Sequence, residues 1–332
     1  MTVLVTGCAG FIGHALCLRL LSDGDNVIGI DNLDNDYDVS IKEEKVRELK
    51  TFKNFEFIKL DILNAGLFPL LKGRKINYVV HLAAKSIYSD SSEAIKYGPF
   101  LEVNVTGTSN IFELAHKLHA KRFIFASTYS VYGNNKGKIL KEKMARLKPI
   151  SPHGASKLAA EHVIHFMHTF YGLPSIILRI SSVYGPNMRP YTVLPKIIYR
   201  LHNGEKIESY SSDVTRDFIF IDDVVEYIIS SFKVRGKFQI VNIASGESIS
   251  RAGLGLKVGK IMGISKKNIQ FTREKRDFER LLLRKAYISN ARAKKLLKYT
   301  PQFSLDDGLP LTISWYLNNE SVLEKSVDPA RE

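Results

Sequence analysis

The tightest constraint on this chain lies in its first 22 residues. Val3-Leu4-Val5 is an apolar strand-like run that enters a turn with glycines at Gly7, Gly10 and Gly13, and an apolar helical stretch follows at once. A strand passing through glycines into a helix reads as the opening of a parallel β-α-β unit. Glycine lets the backbone turn tightly and lets a pyrophosphate come close, and the helix N-terminus offers free N–H groups with a positive dipole end. The first gap is one residue longer than in the common G-x-G-x-x-G spacing, so the strand and helix on either side carry the reading. A second strand, Asn26–Asp31, ends on a carboxylate. Asp31 can accept both ribose hydroxyls of an adenosine and would repel a 2′-phosphate, which favours NAD over NADP; the alternative is that Asp31 caps a loop. Asp61 and Ile62, at the end of the next strand, are expected near the adenine.

The alternation continues down the chain. Strand-like runs fall at 56–59, 78–82, 122–127 and Ser175–Ile180, with helix-like stretches at 13–22, 42–50, 104–118 and 154–171. Such a rhythm predicts an α/β fold, a Rossmann-type doubly wound parallel sheet covered on both faces. After residue 180 the rhythm breaks into turns such as Tyr184-Gly185-Pro186-Asn187, helical stretches at 194–203, 222–232 and 309–318, and a strand at Phe238–Ile243. The expected division is a dinucleotide-binding domain over 1–180 and a smaller mixed α/β substrate domain over 181–332, with the chain crossing between them. Residues 325–332 are expected to fray.

Charge narrows the partners. The net charge is +14, but the basic residues are spread, with the densest runs at 257–267, 273–280 and 292–298. A solvated surface or an anionic small substrate accounts for them, and nucleic acid is not expected. No apolar run is long enough for a membrane span, and the N-terminal residues read as a strand and not as a signal peptide. Two cysteines, Cys8 and Cys17, both inside the first strand–turn–helix, give neither a disulfide framework nor a metal site. A reducing cytoplasm is expected.

Several ordered segments resemble one family, the extended short-chain dehydrogenase/reductases that modify nucleotide sugars. They are Thr6-Gly7-Cys8-Ala9-Gly10-Phe11-Ile12-Gly13, Asp31-Asn32-Leu33, His81-Leu82-Ala83-Ala84, Asn104-Val105-Thr106-Gly107-Thr108, Ser127-Thr128-Tyr129-Ser130-Val131-Tyr132-Gly133, Gly154-Ala155-Ser156-Lys157 and Arg216-Asp217-Phe218. The loop Tyr37-Asp38-Val39-Ser40-Ile41-Lys42 after Asn32-Leu33, together with Gly185-Pro186 and Arg189-Pro190, looks like the UDP-glucuronate 4-epimerase branch. The resemblance implies NAD contacts at Gly7, Gly10, Phe11, Ile12, Gly13, Asp31, Asn32, Asp61, Ile62, Leu82, Ala83, Ala84 and Lys157. It implies nucleotide-sugar contacts at Lys85, Thr128, Arg189 and Arg216, with Arg216 gripping the diphosphate and Asn104 helping to order the active-site helix. It also implies a homodimer formed through two helices of the nucleotide half.

The family oxidises a sugar carbon with NAD while a Tyr removes the hydroxyl proton. A Lys four residues later assists, and a Ser or Thr holds the hydroxyl. Thr128 and Lys157 match, but the Tyr position is His153. Three readings stand open. His153 replaces the phenol as acid–base, since neutral imidazole can accept a proton near neutral pH. Alternatively Tyr129, beside Thr128, does that work. In the third reading the site binds NAD and a nucleotide sugar without turning them over. The family's dehydratases carry an Asp and a Glu directly after the Thr; Tyr129 and Ser130 occupy those places, which disfavours a conventional 4,6-dehydratase. A 4-epimerase acting by transient C4 oxidation and re-reduction is the expected function, with a 4-dehydrogenase or an unusual dehydratase as its enzymatic rival. Ser181-Ser182, residues 279–284 and Lys85-Ser86-Ile87-Tyr88 depart from the family pattern around the sugar pocket.

Overall fold

The computed structural model describes residues 1–86, 96–134, 137–144, 146–209, 214–273 and 285–326. Ile87 and Tyr88, residues 279–284 and the last six residues, all singled out above, lie outside the described residues.

The first half alternates as the apolar runs predict. Its elements are β1 (Thr2–Thr6), α1 (Phe11–Ser22), β2 (Asn26–Asp31), α2 (Val39–Leu49), β3 (Phe55–Lys59), α3 (Leu67–Leu71), β4 (Tyr78–His81), α4 (Gly98–Leu101) and α5 (Thr108–Lys117). A turn of π-helix, Glu102–Gly107, joins the last two, so the single helix expected over 104–118 is a composite. Then come β5 (Arg122–Thr128), α6 (Pro152–Tyr171), β6 (Ser175–Ile180), β7 (Ser182–Tyr184), α7 (Val193–His202), β8 (Ile207–Ser209), β9 (Thr215–Phe220) and α8 (Ile221–Ser231). The chain ends with β10 (Phe238–Ile243), β11 (Ser248–Ser250), α9 (Arg251–Ile261), β12 (Phe271–Arg273), α10 (Ala291–Leu297), α11 (Leu305–Leu317) and α12 (Glu320–Glu324).

A seven-stranded sheet in the order β10-β6-β5-β4-β1-β2-β3 forms the body, parallel at every pairing. Alternation along the strands sorts its two faces. Val3 and Val5 point to the face covered by α1, α8 and α10, through residues such as Leu16, Leu20, Val224, Ile228 and Leu297. Leu4, Ile28 and Ile30 point to the opposite face, covered by α3, α5 and α6 through Leu67, Ile111, Phe112, Ala160 and Ile164. Each such aliphatic side chain withdrawn from water contributes about 1.5–3 kcal/mol. The strand ends are therefore held rigidly even where the loops leaving them vary. A third core joins α7, α9 and α11 to β9 and reaches Phe11 and Ile12 at the start of α1.

The chain crosses between these layers. Although β10 lies well past residue 180, it closes the edge of the large sheet against β6, while β7, β9 and β11 form a separate three-stranded sheet. The sheet order reverses between β1 and β4, and that switch point opens a crevice at the carboxyl ends of the strands. No helix among the described residues is long and apolar enough to cross a membrane.

Candidate active site

A single cavity of about 490 Å³ occupies the crevice and runs from the glycine turn to β9. It takes in most of the residues singled out from the sequence.

At one end the wall is main chain. Gly7 has φ +73°, a left-handed conformation, and a Cβ there would lie 2.8 Å from the Ala83 nitrogen. A Cβ on Gly13 would lie 2.0 Å from the Gly7 carbonyl oxygen. The turn thus folds only with glycine at both places. α1 starts at Phe11 behind a Gly10 cap that has no side chain to satisfy its first N–H groups, so these remain available to an anion. Asp31 is pinned by the Ala9 N–H (3.0 Å) on one carboxylate oxygen and the Leu33 N–H (2.9 Å) on the other. Burial raises its pKa while these bonds and Lys42 work against the rise. Asn32 donates to Asp61 at 2.6 Å, and Asn32, Asp61 and Ile62 line the cavity beside Asp31, as do Leu82, Ala83 and Ala84 at the end of β4. A glycine cradle, an N–H-rich helix start and a carboxylate at the second strand end together fit a dinucleotide with free ribose hydroxyls.

Across the switch point the cavity is bridged. Lys85, following β4, forms ion pairs with Asp34 (3.3 Å) and Asp36, both following β2. Because β1 lies between β2 and β4 in the sheet, this bridge passes over the glycine turn. Lys42 from α2 also lines the cavity, 4.7 Å from the Tyr37 ring. Spacing along the sequence gives no sign that Asp34, Asp36, Tyr37 and Lys42 face the crevice; of these four, only Tyr37 and Lys42 fall in a segment that the family resemblance singles out.

In the middle of the cavity the wall becomes side chains. Ser151 caps α6 by accepting the Gly154 N–H at 3.1 Å, and Pro152 fills the first helical position, so the helix begins just before His153. A Cβ on Gly154 would lie 2.7 Å from the Ser130 carbonyl. This close approach brings the first turn of α6 against the end of β5, so that Thr128, His153 and Lys157 all line one cavity. Thr128 is held by its bonds to Ser130 N and Oγ, both 3.2 Å. Lys157 lies one turn beyond His153 on the same face, donates to the Ala126 carbonyl at 2.8 Å and sits 4.5 Å from the Phe125 ring. Burial pushes its pKa down to about 7. Burial and then the charge of Lys157 push His153 down to about 4, so the ring is neutral at physiological pH. Beneath them Arg179 and Glu161 form a buried ion pair at 2.7 Å, with the Ser127 hydroxyl donating to Glu161 at 2.5 Å. Sequence reading did not single out this pair. Tyr129 turns elsewhere: its hydroxyl is 3.4 Å from Ser182 Oγ, and it does not line the cavity.

Arg189 and Arg216 also line the cavity, Arg189 close to Tyr37 and Asp36 and Arg216 on β9. Arg189 donates to Ser86 Oγ at 3.2 Å, and Arg216 donates to the Thr215 carbonyl at 2.8 Å. Strand alternation aims Arg216 at the cavity and buries its neighbour Asp217. That carboxylate accepts from Ser181 Oγ (3.1 Å) and from the N–H groups of Ser245 and Gly246 (2.9 Å each). Burial nevertheless raises its pKa to about 6. Ser181 and Ser182 also line the cavity. Among the described residues no group of three or more His, Cys, Asp or Glu side chains is placed to hold a metal ion.

Comparison with known proteins gives a consistent set. Residues 3–244 match the model of the NAD dependent epimerase/dehydratase family. The chain is similar to a UDP-glucuronate 4-epimerase from Thermodesulfobacterium geofontis, with 32% identity over 97% of this chain and 98% of that protein. It is also similar to the dTDP-D-glucose 4,6-dehydratase of Homo sapiens, with 30% identity over 98% and 94% respectively. Its structure resembles that of the Bacillus cereus UDP-glucuronic acid 4-epimerase in complex with UDP-glucuronic acid and NAD. The TM-score is 0.87 at 29% identity, covering 96% of this chain and all of the other.

Proposed function

The chain belongs to the NAD dependent epimerase/dehydratase family, and from that premise we propose that it is an NAD-dependent nucleotide-sugar 4-epimerase acting on a UDP-sugar of the glucuronate type. The observation that carries this reading is the continuity of one cavity from the glycine cradle and Asp31, past Thr128, His153 and Lys157, to Arg216. The two requirements of the reaction, a dinucleotide and a nucleotide sugar meeting at one proton acceptor, are thereby met in one space.

The geometry supports a set of roles for these residues. Gly7, Gly10, Phe11, Ile12 and Gly13 would hold the NAD diphosphate, Asp31 and Asn32 the adenosine ribose, and Asp61 and Ile62 the adenine; Leu82, Ala83, Ala84 and Lys157 would flank the nicotinamide ribose. NAD held there would supply hydride acceptor and donor chemistry at C4 of the sugar. His153 takes the C4 hydroxyl proton and later gives it back. Thr128 orients that hydroxyl, and Lys157, when protonated, places positive charge beside the reacting oxygen. Arg216 pairs its planar fork with the substrate diphosphate, while Lys85 and Arg189 border the sugar. Tyr129 and Ser130 bring no carboxyl group to the sugar, so the residues favour epimerisation over the elimination named for the human relative.

Two further features complete the proposal. Phe166 and Phe170 on α6 and Leu101 on α4 are 66%, 72% and 55% exposed. A homodimer through these helices would cover an apolar face that a monomer leaves in water. The free thiols of Cys8 and Cys17 suit a cytoplasmic protein.

The test is incubation with a panel of nucleotide sugars followed by NMR of the products, for the native protein and for His153→Ala. UDP-glucuronate should convert to its C4 epimer, with turnover lost in the variant by about 10²–10⁴-fold. Accumulation of a free keto sugar would make the protein a dehydrogenase or a dehydratase. Tight binding of NAD and nucleotide sugar without any product would make it a binding protein.

A further inference from the structure

We infer that Asn104, acting through the main chain of Lys85, fixes the tautomer of His153 so that Nε2 faces the reacting oxygen as the proton acceptor. The inference rests on the reading of His153 as the acid–base group and assigns it an orienting partner.

The contact that decides the tautomer is His153 Nδ1 to the Lys85 carbonyl, 3.1 Å. A carbonyl oxygen only accepts, so Nδ1 must carry the hydrogen. In a neutral imidazole the other nitrogen is then the acceptor. The ring is neutral because burial, and after it the charge of Lys157 beside it, opposes a second proton. The other nearby ammonium, on Lys85 itself, is turned away into its pairs with Asp34 and Asp36.

What makes that carbonyl a fixed partner is Asn104, which is wholly buried on the π-helical turn. Its side-chain oxygen accepts the Lys85 N–H at 2.8 Å, and its amide donates back to the Lys85 carbonyl at 2.9 Å. One amide thus clamps both peptide groups of one residue, and the loop after β4 cannot rotate the carbonyl away. The same amide donates to Ser156 Oγ at 2.8 Å, and Ser156 Oγ donates to the His153 carbonyl at 3.0 Å. The clamp is therefore tied to the first turn of α6 as well as to the loop. With donors from Asn104 and His153, both lone pairs of the Lys85 carbonyl are in use. Asn104 is a positioning residue, since it reaches the substrate only through another group.

The arrangement has a chemical consequence particular to histidine. A phenol at position 153 has one oxygen, and no second site needs an orienter. An imidazole has two nitrogens, and with the wrong one protonated it would present a donor where an acceptor is required. When Nε2 takes the substrate hydroxyl proton, the Nδ1–H stays in place. Its bond to the carbonyl becomes charge-assisted, and the proton returns by the same path.

The experiment reads the tautomer directly by nitrogen-15 NMR of the full-length protein, with the His153 signals assigned by their loss in His153→Gln. The native protein without added sugar should show Nδ1 protonated and Nε2 unprotonated. Asn104→Asp keeps an acceptor for the Lys85 N–H but removes the donor to the carbonyl, and Asn104→Ala removes both. Each should give mixed tautomers, with kcat lowered on the order of 10- to 100-fold and KM within about twofold. The native spectrum needs no variant, so the inference stays testable if Asn104→Ala does not fold. It is overturned if Nδ1 is unprotonated in the native protein, or if kcat falls in Asn104→Asp with the tautomer unchanged. Absence of turnover with every nucleotide sugar would remove the epimerase reading and leave the tautomer measurement standing.

Discussion

The two ends of the cavity are built from different materials. The dinucleotide end is backbone: Gly7 and Gly13 approach other main-chain atoms so closely that no side chain fits, and even Asp31 is held by main-chain N–H groups. The reacting end is side chains gathered from the end of β5, the start of α6 and the first residues after β6. A backbone-defined site admits almost no substitution, whereas a side-chain site can change its chemistry while its frame persists. His153 is an example. The frame around it is close-packed, with Gly154 against the Ser130 carbonyl, Lys157 one turn on and Asn104 behind, and the proposed reading puts an imidazole in it where the sequence resemblance leads one to expect a tyrosine.

The largest effect should come from the backbone end. Gly13→Ala places a methyl group against the Gly7 carbonyl and forces the turn open. Stability should fall by roughly 1–3 kcal/mol, and NAD, assayed as nucleotide released from the purified protein by acid, should be missing. Full NAD content in this variant would break the comparison at its firmer side.

A smaller but two-signed effect is expected at the reacting end. Lys157→Met should cut turnover about 10²–10³-fold and yet raise the unfolding midpoint by a few degrees, because it removes a buried ammonium. Burial lowers the folded-state pKa of Lys157 to about 7 from 10.5, so between those values the unfolded chain holds a proton that the native protein lacks. Native stability therefore rises with pH across that window. Lys45, also pushed down to about 7 by burial, contributes in the same direction, so the variant should lose only part of the slope. His153 adds a similar rise between about 4 and 6.5. Thermal unfolding of the native protein beside Lys157→Met from pH 7 to about 8.5, below the range where the buried thiols of Cys8 and Cys17 act in the opposite sense, reads the lysine contribution, and a native slope no steeper than that of the variant would contradict the burial of Lys157.

The same contrast explains what the sequence made legible. Glycine spacing and the terminal Asp31 reveal the backbone end because both are local, and the strands of the large sheet show as apolar runs. α9 was missed. Its stretch Arg251–Ile261 carries Gly253, Gly255 and Gly259, a composition that argues against a helix. The structure supplies the reason: a Cβ on Gly255 would lie 2.9 Å from Ile207, and one on Gly259 would lie 2.3 Å from Ile269, so the glycines serve close packing. β7, β9 and β11 span three to six residues and take their pairing from strands distant in sequence, which leaves little periodicity to detect. The reacting end was named from motif resemblance alone. Spacing could not show that Lys85 bridges to Asp34 and Asp36, or that the carbonyl of that same lysine meets His153: the first contact depends on how the loops after β2 and β4 fold over β1 between them, and the second on how the loop after β4 meets the start of α6.

The smallest expected effect is the sharpest test of which side chains form the reacting end. Tyr129 is next to Thr128 in sequence and was an open candidate for the base, but the turn that follows β5 carries its hydroxyl to Ser182. Removing that hydroxyl breaks one long contact to Ser182, while Tyr129 itself does not line the cavity. Tyr129→Phe should therefore leave turnover within about twofold and stability within about 0.5 kcal/mol of the native protein. A loss beyond tenfold, with the alkaline side of the pH–rate profile altered, would hand the proton to the phenol. His153 would then be a bystander, and the reacting end would have kept a tyrosine's chemistry from a neighbouring position.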